Sequence, residues 1–248
     1  MDDLDTLVHR IDEDRWLASR FAPAPVRTRL VAVYAVNYEI ARTAEIVRES
    51  ALGDIRLEWW RSALNEIAEG GPPKKHPALE ALHGAECASA ARAMIGVAQA
   101  RAADLEVAPF RTWDALDAYV AGTSRGLMAA ALEACEVRVE AAGQTRFLDR
   151  AALAWAYVGL LRAAPFWAAR GRTFLPDGAT DADVLRRARG AYAEATPLAR
   201  SMPAAAFPAF GYVALVPGYL RALERGGRER PLFWRQASII AASATGRI

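Results

Sequence analysis

Cysteine, histidine and strand-forming residues are the scarce components of this 248-residue chain. Its two cysteines, Cys87 and Cys135, have no neighbour at metal-ligand spacing, which excludes a disulfide-stapled scaffold and fits a reducing compartment. Only His9, His76 and His83 are present. His76 precedes Pro77 at a helix start, where capping or solvent exposure is the default role. His76 and His83 share a helix face but lack the further ligands a zinc site needs. No stretch alternates apolar and polar residues long enough to propose a sheet, so a glycine-rich phosphate loop following a strand is excluded as well. A net charge of +2 is too small to imply nucleic acid. Residues 1–14 are acidic and lack the basic and apolar blocks of a signal peptide, so secretion is not expected.

What the chain does have is 53% apolar and 24% charged residues, the balance of a folded protein. Alanine, leucine, arginine and glutamate predominate, which favours helix. The breaks divide it into helices over 3–20, 25–49, 53–70, 76–106, 112–139, 143–169, 181–200, 204–225 and 231–244, with Gly70-Gly71-Pro72-Pro73 as the clearest interruption. Pro165 is expected to kink the helix that carries it. Residues 202–220 are long and apolar enough for a membrane span. Pro203, Pro208, Pro217, Gly211 and Gly218 argue instead for buried helices lining a greasy interior. No repeat, low-complexity tract or linker divides the chain, so residues 1–248 read as one all-α domain.

Over 25–49, Val26, Leu30, Val33, Asn37, Ile40, Ala44 and Val47 recur at three- and four-residue steps and form one stripe. Tyr34, Tyr38, Ala41 and Glu45 form a second. Two tyrosines and a carboxylate on an apolar flank leave two readings open: a cavity-facing side, or a core edge with hydrated hydroxyls. Near the end, Arg221, Arg225, Arg228, Arg230 and Arg235 outnumber Glu224 and Glu229. A solvated face accounts for this; contact with acidic lipid headgroups or an acidic partner is the alternative.

Six segments in order carry a resemblance. Tyr34-Ala-Val-Asn-Tyr-Glu-Ile is followed by Leu52-Gly-Asp-Ile-Arg-Leu-Glu-Trp-Trp-Arg61 and by His76-Pro77 with its leucines. Ala100-Arg-Ala-Ala-Asp-Leu105, residues 119–128 and Gly171-Arg-Thr-Phe-Leu-Pro176 complete the series. Together they resemble the squalene/phytoene synthase family. The resemblance implies an isoprenoid-synthase-like helical bundle around a central cavity. It also implies, for enzymatic members, head-to-head joining of prenyl diphosphates with magnesium held by two aspartate-rich motifs on facing helices. Magnesium needs such carboxylates while it bridges phosphate oxygens.

Where the first motif is expected, the residues are Ala41-Arg42-Thr43-Ala44-Glu45, with Tyr38 where an arginine would be usual. The second motif's aspartates fall at Ala163 and Trp167, and only Arg162 of that motif remains. The resemblance therefore implies a pseudo-enzyme with no catalytic residues, no metal and no cofactor. Leu160-Leu-Arg-Ala-Ala-Pro-Phe before the Gly-Arg-Thr-Phe-Leu-Pro loop resembles the branch whose mitochondrial members assist assembly of respiratory complex I (NADH:ubiquinone oxidoreductase). The composition and the lack of a transit peptide point to a bacterial homologue, cytoplasmic or peripheral at the inner membrane, with complex I subunits or assembly intermediates as partners. Remnant-pocket candidates are Tyr34, Tyr38, Arg42, Glu45, Arg162, Trp167 and Arg172. Arg42, Arg162 and Arg172 could gather there to hold a phosphorylated isoprenoid without turnover, or could instead make internal ion pairs.

Overall fold

The structure is a computed structural model describing residues 2–47, 49–227 and 230–248. Arg228 and Glu229 of the arginine-rich segment lie outside the described residues. Every regular element among those described is helical, so the all-α expectation holds. The α-helices are α1 (Asp2–Ile11), α2 (Glu13–Ser19), α3 (Ala24–Ala41), α4 (Thr43–Ile46), α5 (Ser50–Ala68), α6 (Pro77–Gly84) and α7 (Ala88–Ala100). They continue as α8 (Trp113–Val120), α9 (Gly126–Ala134), α10 (Ala142–Ala168), α11 (Asp181–Leu198), α12 (Phe207–Phe210), α13 (Val216–Glu224) and α14 (Leu232–Thr245).

Several expected helices are divided, each for a local reason. Asp12 ends α1 and caps α2, its carboxylate accepting from the Arg15 backbone N–H at 3.4 Å and from the Arg15 guanidinium at 2.6 Å. The long helix expected from His76 stops at Gly84, and Glu86, in the left-handed region at φ 54°, turns the chain into α7. Glu136, at φ 58°, follows the end of α9 in the same conformation. Between α8 and α9 the helix widens by one turn over Ala121–Arg125. There the Thr123 hydroxyl donates to the Tyr119 carbonyl at 2.8 Å, and Ser124 donates to the Ala152 carbonyl of α10 at 3.2 Å. The glycines of this turn let α7 come close: a Cβ on Gly122 would lie 2.5 Å from Cβ of Ala100, and one on Gly126 2.9 Å from Val97.

α10 runs unbroken through Pro165, so the proline does not end the helix. It removes one N–H, leaving the Leu161 carbonyl without its usual intrahelical donor. The apolar stretch 202–220 is broken by its prolines into short turns and helices. Ala206, Ala209, Tyr212, Val213, Leu215 and Val216 within it are fully buried. No helix among the described residues is long and apolar enough to cross a membrane.

One contiguous apolar cluster extends from Val8 to Ile239. α10 packs most extensively on α11, and α7 lies between α5 and α9. α3 packs on α6, α7 and α9, while α14 closes against α2 and the Gly211–Leu215 turn. This arrangement surrounds a cavity walled by α3, α10 and the turns that follow α7 and α8.

Candidate functional site

The central cavity has a volume of about 250 Å³. Along α10, Trp155, Gly159, Ala163 and Trp167 line it at intervals of four, one face of the helix. Opposite them, Asn37 and Ala41 of α3 and Glu45 of α4 repeat the same interval. The structure thus brings the positions of both expected motifs to one cavity, and of Ala41, Glu45, Ala163 and Trp167 only Glu45 is acidic. Glu45 itself sits past the break at Arg42 and is exposed.

A second set of charged residues enters from two segments that carried the resemblance, 100–105 and 119–128, but whose residues were not among the pocket candidates. Arg101 and Asp104 lie on a short 3-10 turn that continues α7. Asp104 is buried; it accepts from the Tyr119 hydroxyl at 2.6 Å and from Arg101 at 3.0 Å, and Arg101 also donates to the Tyr119 oxygen at 2.9 Å. Burial pushes the Tyr119 hydroxyl well above its ordinary value, so it remains a donor. Arg15 lines the cavity too and stacks over Tyr212 at 4.8 Å. Asn37 is 8% exposed, and its Oδ1 has no hydrogen-bond partner.

The remaining candidates go elsewhere. Tyr34, two turns from Ala41 along α3, is buried away from the cavity beside Arg15 and Tyr212, and its hydroxyl lacks a partner. Tyr38 is half-buried under the Arg42 guanidinium, 5.2 Å from its ring. Asn37, which the sequence pattern placed on the apolar stripe, occupies the cavity-facing position instead. Arg42 pairs with Glu39 at 3.2 Å. Arg172 donates to the Asp104 carbonyl at 2.7 Å and faces a separate apolar groove of about 340 Å³ beside Pro165. Leu160, Trp167 and Phe174 line both that groove and the central cavity.

Arg162 faces a third, polar cavity of about 380 Å³. It stacks over Tyr219 at 4.2 Å and lies 3.6 Å from Asp14, which is 4% exposed. Asp14 also accepts from the Tyr219 hydroxyl at 2.6 Å and from Arg235 at 2.9 Å. Of the two readings left open for Arg42, Arg162 and Arg172, gathering in one pocket is not what the structure has: they occupy three separate environments, each with an internal partner.

Neither Asp14 nor Arg235 stood out from the sequence as a site residue. The Asp12-Glu13-Asp14-Arg15 run was the available signal, but partners more than 200 positions away leave no local pattern. His76 caps α6, its Nδ1 accepting from the Ala78 N–H at 3.2 Å. Among the described residues, no three His, Cys, Asp or Glu side chains converge as metal ligands.

The chain is similar to the assembly factor 6 proteins of NADH dehydrogenase (ubiquinone) complex I. It is 26% identical to that of Mus musculus over 242 residues, covering 88% of this chain and 72% of the relative. The Homo sapiens protein is 24% identical over the same shares. In fold, the chain resembles the crystal structure of squalene synthase HpnC from Alicyclobacillus acidocaldarius, with a TM-score of 0.72 at 18% identity over 91% of this chain and 93% of that one. A dehydrosqualene synthase in complex with ligand gives 0.70 at 12% identity, covering 98% and 95%. The squalene/phytoene synthase family model matches residues 8–183. With that match laid over an all-α bundle and its central cavity, the chain belongs to the squalene/phytoene synthase family.

Proposed function

We propose that this protein is a non-enzymatic member of its family that assists assembly of respiratory complex I, acting on complex I subunits or assembly intermediates. The observation that carries the reading is the similarity to the complex I assembly factors over 88% of the chain. The cavity chemistry supports it. A magnesium cluster beside a diphosphate requires carboxylates converging on the ions. Here the acidic lining residues are Glu45, exposed at the edge, and Asp104, already engaged by Tyr119 and Arg101. This donor set does not fit such a cluster, and no reaction step is assigned to it. Residues 1–248 act as one unit in this reading, in a bacterial cytoplasm or at the inner face of its membrane.

The test is deletion of the gene in its source organism. NADH:ubiquinone oxidoreductase activity should fall and be restored equally by the wild-type protein and by Glu45→Gln. Unchanged activity after deletion would overturn the assembly role. A coupled isoprenoid formed from farnesyl or geranylgeranyl diphosphate with magnesium would overturn the non-enzymatic one.

A second reading has its own support. Arg15 and Arg101 line the same cavity as Trp155, Leu127 and Phe174, a combination suited to a phosphorylated isoprenoid or lipid bound without turnover. Native mass spectrometry of freshly isolated protein should then reveal a retained ligand; ligand-free protein from several preparations would count against it.

A further inference from the structure

We infer that α14 and the arginine-lined cleft before it form a membrane-interface docking element, placing Leu232, Phe233 and Trp234 among the headgroups of a bilayer containing anionic lipid. This rests on the peripheral membrane location proposed above and assigns it to a specific surface.

Three consecutive large apolar side chains are exposed at the start of α14: Leu232, Phe233 at 68% and Trp234 at 55%. Ile240, seven residues after Phe233 and so on the same helix face, is exposed as well. Burial of Ile239 and Ala242 fixes the opposite face against the core. The single charged residue of the helix, Arg235, turns inward to Glu13 and Asp14. The outward face of α14 is therefore uncharged along its length, and the helix contains no acidic residue.

Next to this face, Arg221, Arg225 and Arg230 line a cleft of about 540 Å³ together with Pro231 and Trp234. No acidic residue among those described lines it. The nearby Glu224 is paired with Arg189. Arg230 lies against Gly218, where a Cβ would come within 2.0 Å of its Nη1.

Charge complementarity selects the occupant. Three guanidiniums beside an uncharged helix match a layer with phosphates at its surface and hydrocarbon beneath. Tryptophan and phenylalanine suit the boundary between them. Residues 232–234 are consecutive and project in several directions around one helix end. A flat protein surface would cover one of those directions, whereas a fluid interface surrounds all of them. No helix among the described residues is long and apolar enough to cross a membrane, so the contact is interfacial.

The experiment is flotation of the full chain with vesicles of phosphatidylcholine alone, and of phosphatidylcholine with phosphatidylglycerol at about 2:1. Wild-type protein should float with the anionic vesicles and be released by high salt. Phe233→Ser combined with Trp234→Ser should reduce partitioning at least tenfold, and so should Arg221→Ala combined with Arg225→Ala. Unchanged helicity and urea midpoints would verify folding of both variants. Wild-type protein that stays unbound, or variants that float as well as wild type, would overturn the proposal. A wild-type dimer that Phe233→Ser dissociates would overturn it in favour of a second copy on this face. Complex I activity in the deletion strain is measured separately, so the assembly reading and this one can fail independently.

Discussion

Tyr119 donates its hydroxyl to Asp104 at 2.6 Å in a buried setting where Arg101 donates to both of them. The three residues come from the turn after α7 and from α8, and together they fix one wall of the central cavity. A buried carboxylate of this kind is tolerated only while its partners remain.

Replacing Arg101 with Met should therefore cost about 3 kcal/mol, because it leaves Asp104 buried without its cation. The double variant Arg101→Met, Asp104→Leu should recover most of that loss. Urea unfolding of the wild type, both single variants and the double variant would measure the coupling. Strict additivity of the two single effects would contradict the wall as described.

Asp14 lines the neighbouring polar cavity, which shares Arg15, Trp155 and Gly159 with the central one. With Tyr219, Arg235 and Arg162 directed at one carboxylate, Asp14→Ala takes the carboxylate from Arg162 and leaves Arg235 with Glu13 alone. A loss of roughly 3 kcal/mol in unfolding free energy is expected. Asp14→Asn keeps an acceptor for Tyr219 and should lose less.

These two clusters mark where sequence reasoning ran short. α5, α10, α11 and α14 were legible because apolar spacing, breakers and caps agree locally. So was the opposition of positions 41 and 45 to 163 and 167, since each motif position could be counted from an identifiable neighbour. The interruptions at Glu86 and over Ala121–Arg125 were not. The left-handed Glu86 is a local turn closed by its own N–H on the His83 carbonyl, and the widened turn is held by Ser124 on α10 and by the close approach of α7; no periodicity records either. Likewise, Asn37 rather than Tyr38 faces the cavity because α3 is rotated by its packing on α6, α7 and α9, which an apolar stripe defines only to within one neighbouring row.

His76 gives a pH dependence. Burial lowers its pKa below the ordinary value near 6.5, against the opposing influence of Glu39 and Glu80 and together with that of Arg56. The unfolded chain then takes up the proton first. The stabilisation is full above about 6.5 and declines as pH falls below it. Protonation at Nδ1 also removes the acceptor for the Ala78 N–H. Urea midpoints should decrease between about pH 7 and pH 5, and less so in His76→Asn, which retains a capping oxygen.

Inorganic pyrophosphate distinguishes the two cavity chemistries. A ligand present at a hundred times its Kd adds about 2.7 kcal/mol, on the order of 5–10 °C in melting temperature for a chain of this size. Any shift produced by pyrophosphate should be the same with magnesium as with a chelator, because Arg15 and Arg101 rather than metal would hold it. A shift that requires magnesium would contradict this.

The contact of Arg235 with Asp14 spans 221 positions. At about 5–20 residues per second, a ribosome that has delivered α2 needs roughly 10–45 s to deliver α14. During that interval the nascent amino-terminal helices carry a carboxylate whose Arg235 partner has not yet been synthesised. The bundle can complete itself only after α14 has emerged, so any truncation before residue 235 leaves the amino-terminal helices without that guanidinium.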